Sequence, residues 1–156
     1  MKFKRLTLEE LKELEPEFIT FLASNQISAE DWIVIKSKKT DKMNELLDFF
    51  SDLVYEKVLK KIMYLEHRTP KEIRLFHLGE DKITLIGIKV EAHNNIDFTL
   101  DNILEQLSHA SNFKTSIFES KKDYLKDRSS EIFDLLESGC LIATENLFNT
   151  LMLARK

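Results

Sequence analysis

The chain has 156 residues, with 23 basic and 27 acidic side chains and a net charge of -4. This length is typical of one domain, and we predict a single domain over residues 1–156. The negative balance argues against a strongly electropositive nucleic-acid binder. With 3 glycines, 2 prolines and 1 cysteine, the composition excludes glycine-rich phosphate loops, an intramolecular disulfide framework and multi-cysteine metal sites.

The N-terminal sequence predicts a cytoplasmic protein without a membrane anchor. Its basic opening is followed almost at once by Glu9 and Glu10, so it lacks the apolar region of a secretory signal. The longest uncharged stretch, residues 18–29, is interrupted by polar side chains and falls short of the roughly 20 apolar residues that a membrane-spanning helix needs. A single cysteine is also typical of a reducing compartment.

Helical periodicity dominates the first third of the chain. Thr7 and Glu10 have the spacing of a capping box, which predicts a helix from Leu8 onward. Pro16 lacks an N–H, so we expect the helix to kink or break there. A second start follows at Ser28, and the polar residues 36–41 predict a loop.

One long helix is predicted over Asp41–Ile62. Its apolar positions form one broad arc, on which we expect Leu46, Phe50 and Leu53 to be buried. The opposite side is an acidic arc made of Glu45, Asp48, Asp52 and Glu56. We interpret the acidic arc as a hydrated helix face. The alternatives are a partner-facing strip and a cation site, although the Glu-x-x-His pairs of di-metal bundles are missing.

The middle of the chain reads as three antiparallel strands in succession. A tight first turn pairs Tyr64 with His77 and His67 with Arg74, which puts the two histidines on opposite faces of the sheet. In the third strand the apolar alternation changes phase, and this predicts a bulge or bend near Gly87.

The last part of the chain returns to helix. We expect Thr99 to cap one helix, residues 129–138 to form a second that stops at Gly139, and Thr144 to cap a third. The pattern of residues 111–126 predicts no element. The fold class is therefore α+β, with N-terminal helices, a three-stranded antiparallel meander and a C-terminal helical pair.

Several stretches together carry a family resemblance. They are Arg5-Leu6-Thr7, Glu17-Phe18, Ala29-Glu30-Asp31-Trp32, Tyr64-Leu65-Glu66-His67 and Leu135-Leu136-Glu137-Ser138-Gly139-Cys140. Over about residues 1–91 and 129–152, the chain resembles an uncharacterised family of short bacterial proteins that occurs mainly in Bacteroidota. The resemblance implies a shared fold and a cytoplasmic location, and it implies no activity.

Side chains that could do chemistry are present but scattered. His93 lies in a predicted loop and His109 follows Glu105 by four residues, a spacing that favours a contact within one helix. Cys140 has no neighbouring base and is expected to be a small buried residue. We therefore assign no catalytic, cofactor or metal-binding residue. The C-terminal helices carry few side chains that read bases, so we do not expect a nucleic-acid partner.

The leading hypothesis is a non-enzymatic protein that binds another protein or itself. Aromatic side chains next to charge are typical of binding hot spots. The predicted partner-binding residues are Trp32, Phe49, Tyr55, Asp48 and Asp52. The simpler alternative is that the aromatic side chains close the core of a small domain.

A second hypothesis is a small-ligand binder or an enzyme. Its site would be a crevice between helix and sheet, and its polar groups would come from Glu66, His67 and His77. Histidine is the usual acid–base residue but needs a partner that converges on it.

Overall fold

The computed structural model describes residues 1–91, 95–109 and 116–155. The helices of these residues are α1 (Leu8–Glu13), α2 (Glu15–Ser24), α3 (Ala29–Lys38), α4 (Thr40–Lys61), α5 (Ile103–Ser108), α6 (Arg128–Glu137) and α7 (Glu145–Ala154). The strands are β1 (Tyr64–Thr69), β2 (Glu72–Leu78), β3 (Lys82–Lys89), β4 (Ile117–Asp123) and β5 (Leu141–Ile142). Helices and an antiparallel sheet make the fold α+β, as predicted.

The chain divides into two compact units, Met1–Val58 and Leu59–Lys156. The first unit contains α1, α2, α3 and most of α4, and the second contains the sheet with α5, α6 and α7. The prediction of one domain over 1–156 stays a prediction.

Local capping explains the helix boundaries of the first unit. Thr7 and Glu10 form the predicted capping box, and Ser28 and Asp31 form a second one in front of α3. The predicted break occurs at Leu14, which ends α1 and begins α2, with Pro16 in the first turn where its missing N–H costs no hydrogen bond. The predicted loop over 36–41 is wrong, because α3 runs to Lys38 and α4 starts at Thr40.

The long helix α4 has nearly the predicted ends and most of the predicted buried face, with Leu46 partly buried against the core and Leu53 as the exception. Phe50 is buried with Leu6, Phe21 and Leu22, whereas Leu53 is 47% exposed. Leu53 lies at the edge of the apolar arc, and the buried direction runs instead between Phe50 and the neighbouring Ser51. The arc is broader than the surface that this small unit can cover, so its edge stays exposed.

The sheet of the second unit confirms the predicted meander and extends it. Tyr64 pairs with His77 and His67 with Arg74, as predicted from the tight turn. The sheet has five antiparallel strands in the order β4-β3-β2-β1-β5 rather than three. The missed strands are the two edges: β4 is largely exposed and charged, and β5 has only 2 residues.

The bulge predicted near Gly87 is wrong. Pairing between β2 and β3 is continuous from Glu72 opposite Lys89 to Leu78 opposite Ile83. The change of phase arises because β3 is an inner strand that is buried on both faces. Gly87 lies directly opposite Phe118 of β4, and its bare backbone accommodates the Phe118 ring.

The two faces of the sheet carry different helices. One face holds Ile73, Leu75, Ile86 and Ile88, which pack with side chains of α5 and α7. The other face holds Phe76 and Ile83, which line a cavity together with residues of α6. The C-terminal helices α6 and α7 therefore lie on opposite faces of the sheet, which excludes a helix-turn-helix arrangement.

Of the three predictions for helix ends in the last part of the chain, two are confirmed and one is wrong. Gly139 has a φ of 112° just after α6, as a left-handed stop requires, and Thr144 caps α7. Thr99 caps no helix: its N–H and hydroxyl both donate to Asp97, and α5 begins after Asn102.

Candidate functional site

A groove opens in the first unit between helices α1, α2, α3 and α4. It has a volume of about 800 Å³. Its apolar lining comes from Leu8, Leu11, Phe18, Trp32, Met43 and Leu47, and its basic side chains are Arg5, Lys12 and Lys36. We call it the Trp32 groove.

The N-terminal segment before α1 forms one wall of the groove, and α4 holds this segment in place. The backbone N–H groups of Lys2 and Phe3 donate to the two carboxylate oxygens of Asp52, at 2.7 and 2.9 Å. The backbone N–H of Leu6 donates to Ser51 Oγ at 3.1 Å, and both of these residues are buried. An extended segment thus finds its hydrogen-bond partners on helix side chains instead of in a sheet.

Arg5 completes this wall through ionic contacts. Its Nε lies 2.7 Å and its Nη2 2.6 Å from Asp48 Oδ1. Its Nη1 donates to Asn44 Oδ1 at 3.2 Å. The guanidinium is therefore fixed on α4 at the edge of the groove.

Trp32 packs against aromatic side chains of the core. Its ring meets Phe18 edge to face, with the ring centroids 5.1 Å apart, and Phe18 in turn meets Phe50 at 5.0 Å. Lys36, one helical turn further along α3, places its Nζ 5.9 Å from the Trp32 ring centroid. Trp32 is half-buried, so one part of the ring closes the core and another part lines the groove.

Thr7 of the groove lining and the neighbouring Glu10 are joined by two hydrogen bonds, each between a backbone N–H and a side chain. Thr7 Oγ1 accepts from the N–H of Glu10, and the Thr7 N–H donates to Glu10 Oε1 at 2.9 Å. The hydrogen bond from the backbone of Thr7, together with that from its side chain, lowers the pKa of Glu10. Among the described residues, no buried side-chain nitrogen or oxygen lacks a hydrogen-bond partner. The buried polar groups around the groove are therefore satisfied, whereas Lys12 and Lys36 of its lining are exposed to solvent.

The five residues predicted to bind a partner are divided between two helices, with Trp32 on α3 and the other four on α4. Only Trp32 lines the groove. Phe49 is 54% exposed and contacts the Phe21 ring, while Tyr55 is half-buried against Phe3. Asp48 and Asp52 are partly exposed and hold the N-terminal wall. Partner binding by these residues stays a prediction.

Of the two other residues of the acidic arc, Glu56 also contacts the N-terminal segment. Glu56 accepts from Lys2 Nζ at 3.2 Å, while Glu45 is exposed. Among the described residues, no group of three or more histidine, cysteine, aspartate and glutamate side chains could hold a metal ion.

The residues of the alternative site converge only in part, because Glu66 and His67 line one small cavity and His77 does not. Glu66 is buried and pairs with Arg68, whose Nε lies 3.0 Å from the carboxylate. The His77 ring contacts the rings of Tyr64 and Phe148. It lies on the same face of the sheet as Glu66. His67 is exposed on the other face. A crevice that uses all three side chains is not formed.

The remaining candidates have structural surroundings. Burial raises the pKa of the Cys140 thiol, and a hydrogen bond with Ser138 only partly opposes this, so little thiolate forms at neutral pH. His93 lies outside the described residues. His109 ends α5, and its backbone N–H bonds to the carbonyls of the preceding turn.

Sequence reasoning missed the most highly connected side chain of the second unit, Arg128. Its guanidinium donates to the carbonyl oxygens of Leu59, Ile62, Leu78 and Gly79 at 2.5 to 3.3 Å. It thereby links carbonyls at the end of α4 to carbonyls at the β2–β3 turn. The Leu59 carbonyl also accepts from the N–H of Ile62 at 3.2 Å. Asp127, the N-cap of α6, indicates in the sequence that a helix starts here. No sequence pattern predicts that Arg128 binds four distant carbonyls.

Beside Arg128, two further side chains fix the start of α6. Tyr124 donates its hydroxyl to the Gly79 carbonyl at 2.7 Å, and burial raises its pKa. The buried carboxylate of Glu131 accepts from the backbone N–H groups of Leu125 and Lys126. All of these partners lie within the chain, so this cluster is structural.

Comparisons with known proteins identify the family and nothing finer. No curated protein and no solved structure matches the chain. Within the described residues, no helix is long and apolar enough to cross a membrane. A family model matches residues 1–155, and it carries the description of a family of unknown function. The chain therefore belongs to this family, DUF6495.

Proposed function

We propose that this protein acts by binding another protein and that the Trp32 groove is the docking site. The observation that carries the proposal is the combination of an open apolar lining with groups of Arg5 and Thr7 that are already hydrogen-bonded to other residues of the chain. Small-molecule sites and active sites usually present a few convergent polar groups to the ligand. Protein-binding surfaces instead rely on aromatic and aliphatic anchors in a desolvated centre.

Leu8 gives this proposal further support. It is 80% exposed although it is a large aliphatic residue at the mouth of the groove. Trp32 lies in the same groove and belongs to the residue type most enriched in hot spots. Burial of both side chains against a partner would remove exposed apolar surface from water.

Capture from a lysate of the cells that make the protein tests this proposal. We compare the wild type with Leu8→Glu and with a matched control, Ile33→Glu, which alters an exposed residue next to Trp32 that does not line the groove. We expect the wild type and Ile33→Glu to retain one stoichiometric protein, and Leu8→Glu to lose it. Glutamate in the first turn of a helix suits the helix dipole, so Leu8→Glu should change the stability by less than about 0.5 kcal/mol.

Three results would contradict the proposal. The first is equal capture by Leu8→Glu and wild type, which would place the partner elsewhere. The second is a small molecule that co-purifies in place of a protein, which would favour the ligand-binding alternative. The third is a dimer of the purified chain that Leu8→Glu dissociates, because it would make a second copy the occupant.

We further propose that the protein works in a bacterial cytoplasm, as the resemblance to short bacterial proteins of the Bacteroidota implies. The support from the chain itself is its single cysteine, which is buried and unpaired. Reducing compartments favour such free thiols.

A further inference from the structure

We infer that the occupant of the Trp32 groove is an acidic amphipathic helix of the partner protein. The inference rests on the proposed function and adds the secondary structure and the charge of the bound segment. Apolar side chains of the helix would meet Trp32 and Leu8, and its carboxylates would meet Lys12 and Lys36.

Backbone hydrogen bonding identifies the occupant as a helix. The walls from α1, α2, α3 and α4 use their backbone groups internally. In the remaining wall, the N–H of Leu6 is bonded to Ser51 and that of Thr7 to Glu10. The groove therefore has no sheet edge that could pair with an extended peptide. A segment that enters this apolar groove must satisfy its own N–H and C=O groups, and a helix does so.

The side chains of the groove match one face of a helix. The apolar lining comes from several helices, with Leu11 on α1, Phe18 on α2, Trp32 on α3 and Leu47 on α4. Helices in such grooves insert side chains at i, i+3, i+4 and i+7. Side chains at these positions share one face, so a single helix can fill the lining while its other face stays in water.

Charge at the groove identifies the occupant as acidic. The ionisable lining residues are Arg5, Lys12 and Lys36 against one acid, Glu15, although the whole chain is acidic with a net charge of -4. The charge of Arg5 is compensated by Asp48. Of the remaining lining charges, Lys12 and Lys36 outnumber Glu15 by one, so the lining is positive and an acidic segment complements it.

The fluorescence of Trp32 provides the binding measurement, because it is the only tryptophan of the chain. The probe is a synthetic peptide of about four helical turns without tryptophan, with Leu or Phe at i, i+3, i+4 and i+7 and Glu elsewhere. One comparison peptide has Lys in place of each Glu, and another has two central residues replaced by Pro. We expect the acidic helical peptide to bind at least about tenfold more tightly than either comparison peptide.

Charge reversal in the groove tests the assignment of the lysines. In the double variant Lys12→Glu/Lys36→Glu, the affinity for the acidic peptide should fall by at least about tenfold and that for the basic peptide should rise. The matched control Lys57→Glu reverses an exposed charge of α4 that does not line the groove, and should bind like the wild type. Salt should weaken the wild-type complex more than that of the double variant.

Equal binding of the three peptides, or no binding of any, would overturn the inference. Preferred binding of the proline peptide would identify an extended occupant instead of a helix. The proposed function fails separately, since it depends on whether Leu8→Glu still captures the natural partner. Peptide failure with loss of capture in Leu8→Glu would leave the docking site in place and reject only the acidic helix.

Discussion

Replacement of Arg128 by alanine is expected to lower the free energy of unfolding of the second unit by about 3 kcal/mol or more. The guanidinium donates to four backbone carbonyls, two at the end of α4 and two at the β2–β3 turn. Hydrogen bonds from a charged donor contribute more than neutral ones, and four of them are lost together. The carbonyls of Leu59 and Gly79 keep a second donor, the N–H of Ile62 and the hydroxyl of Tyr124. Arg128→Lys should give an intermediate loss, because a lysine cannot reproduce the planar fork.

The reactivity of the Cys140 thiol measures the loss of stability caused by Arg128→Ala, because Cys140 belongs to the second unit of the chain. The thiol is 5% exposed, so a thiol reagent reaches it when the second unit opens. Labelling as a function of urea concentration then gives the free energy of unfolding. The matched control is Arg155→Ala, which removes an exposed ion pair with Glu119 and should cost less than about 1 kcal/mol. A loss for Arg128→Ala as small as that of the control would contradict the structural role of Arg128.

Substitution of Gly87 by alanine is expected to destabilise the second unit by about 1–3 kcal/mol. A Cβ atom at Gly87 would lie 2.3 Å from Cζ of Phe118 and 2.8 Å from the carbonyl oxygen of Ile73. The ring can move, but the carbonyl belongs to the neighbouring strand β2 and is held by the sheet. Overpacking of this kind forces shifts in side chains and backbone.

A double-mutant cycle distinguishes this contact from the intrinsic properties of glycine. Phe118→Ala removes the ring, so Gly87→Ala should cost less in the Phe118→Ala background than in the wild type. The remaining cost comes from the Ile73 carbonyl, which both backgrounds share. Strictly additive losses in thiol-labelling experiments would show that the Phe118 ring does not restrict position 87.

Local patterns in the sequence predicted the elements of this fold best. The capping box at Thr7, the helix start at Ser28, the kink or break at Pro16 and the register that pairs Tyr64 with His77 depend on neighbouring residues, and the structure confirms them. The strand β4 was missed because it is a charged edge strand whose partner residues on β3 lie 29 to 41 positions earlier in the chain, from Ile88 opposite Ile117 to Lys82 opposite Asp123. Its sequence has little β-branched or apolar character to reveal it.

The candidate site depends on contacts between distant residues, and this limits its prediction from sequence. Trp32 was identified as an aromatic residue near charge, but the groove exists because residues 2–6 are held on α4. The hydrogen bonds that hold them join positions 39 to 54 residues apart, from Arg5–Asn44 to Lys2–Glu56. Spacing along one helix reveals the carboxylates and says nothing of the amides that they bind.

The acidic arc shows how one pattern can have two physical causes. Carboxylates on one side of a helix are usually hydrated, as predicted for Asp48 and Asp52. In this structure neither carboxylate enters the core, yet both accept hydrogen bonds from the N-terminal segment. The two carboxylates thus hold the N-terminal wall of the groove in place by hydrogen bonds.

Photo-crosslinking in living cells tests the docking site most directly. A benzophenone amino acid replaces Leu8, at the mouth of the Trp32 groove, or Ile33, which is exposed on α3 outside it. We expect irradiation to give one protein adduct from position 8 and none of that mass from position 33. The same adduct from both positions, or from position 33 alone, would contradict the assignment of the Trp32 groove as the docking site.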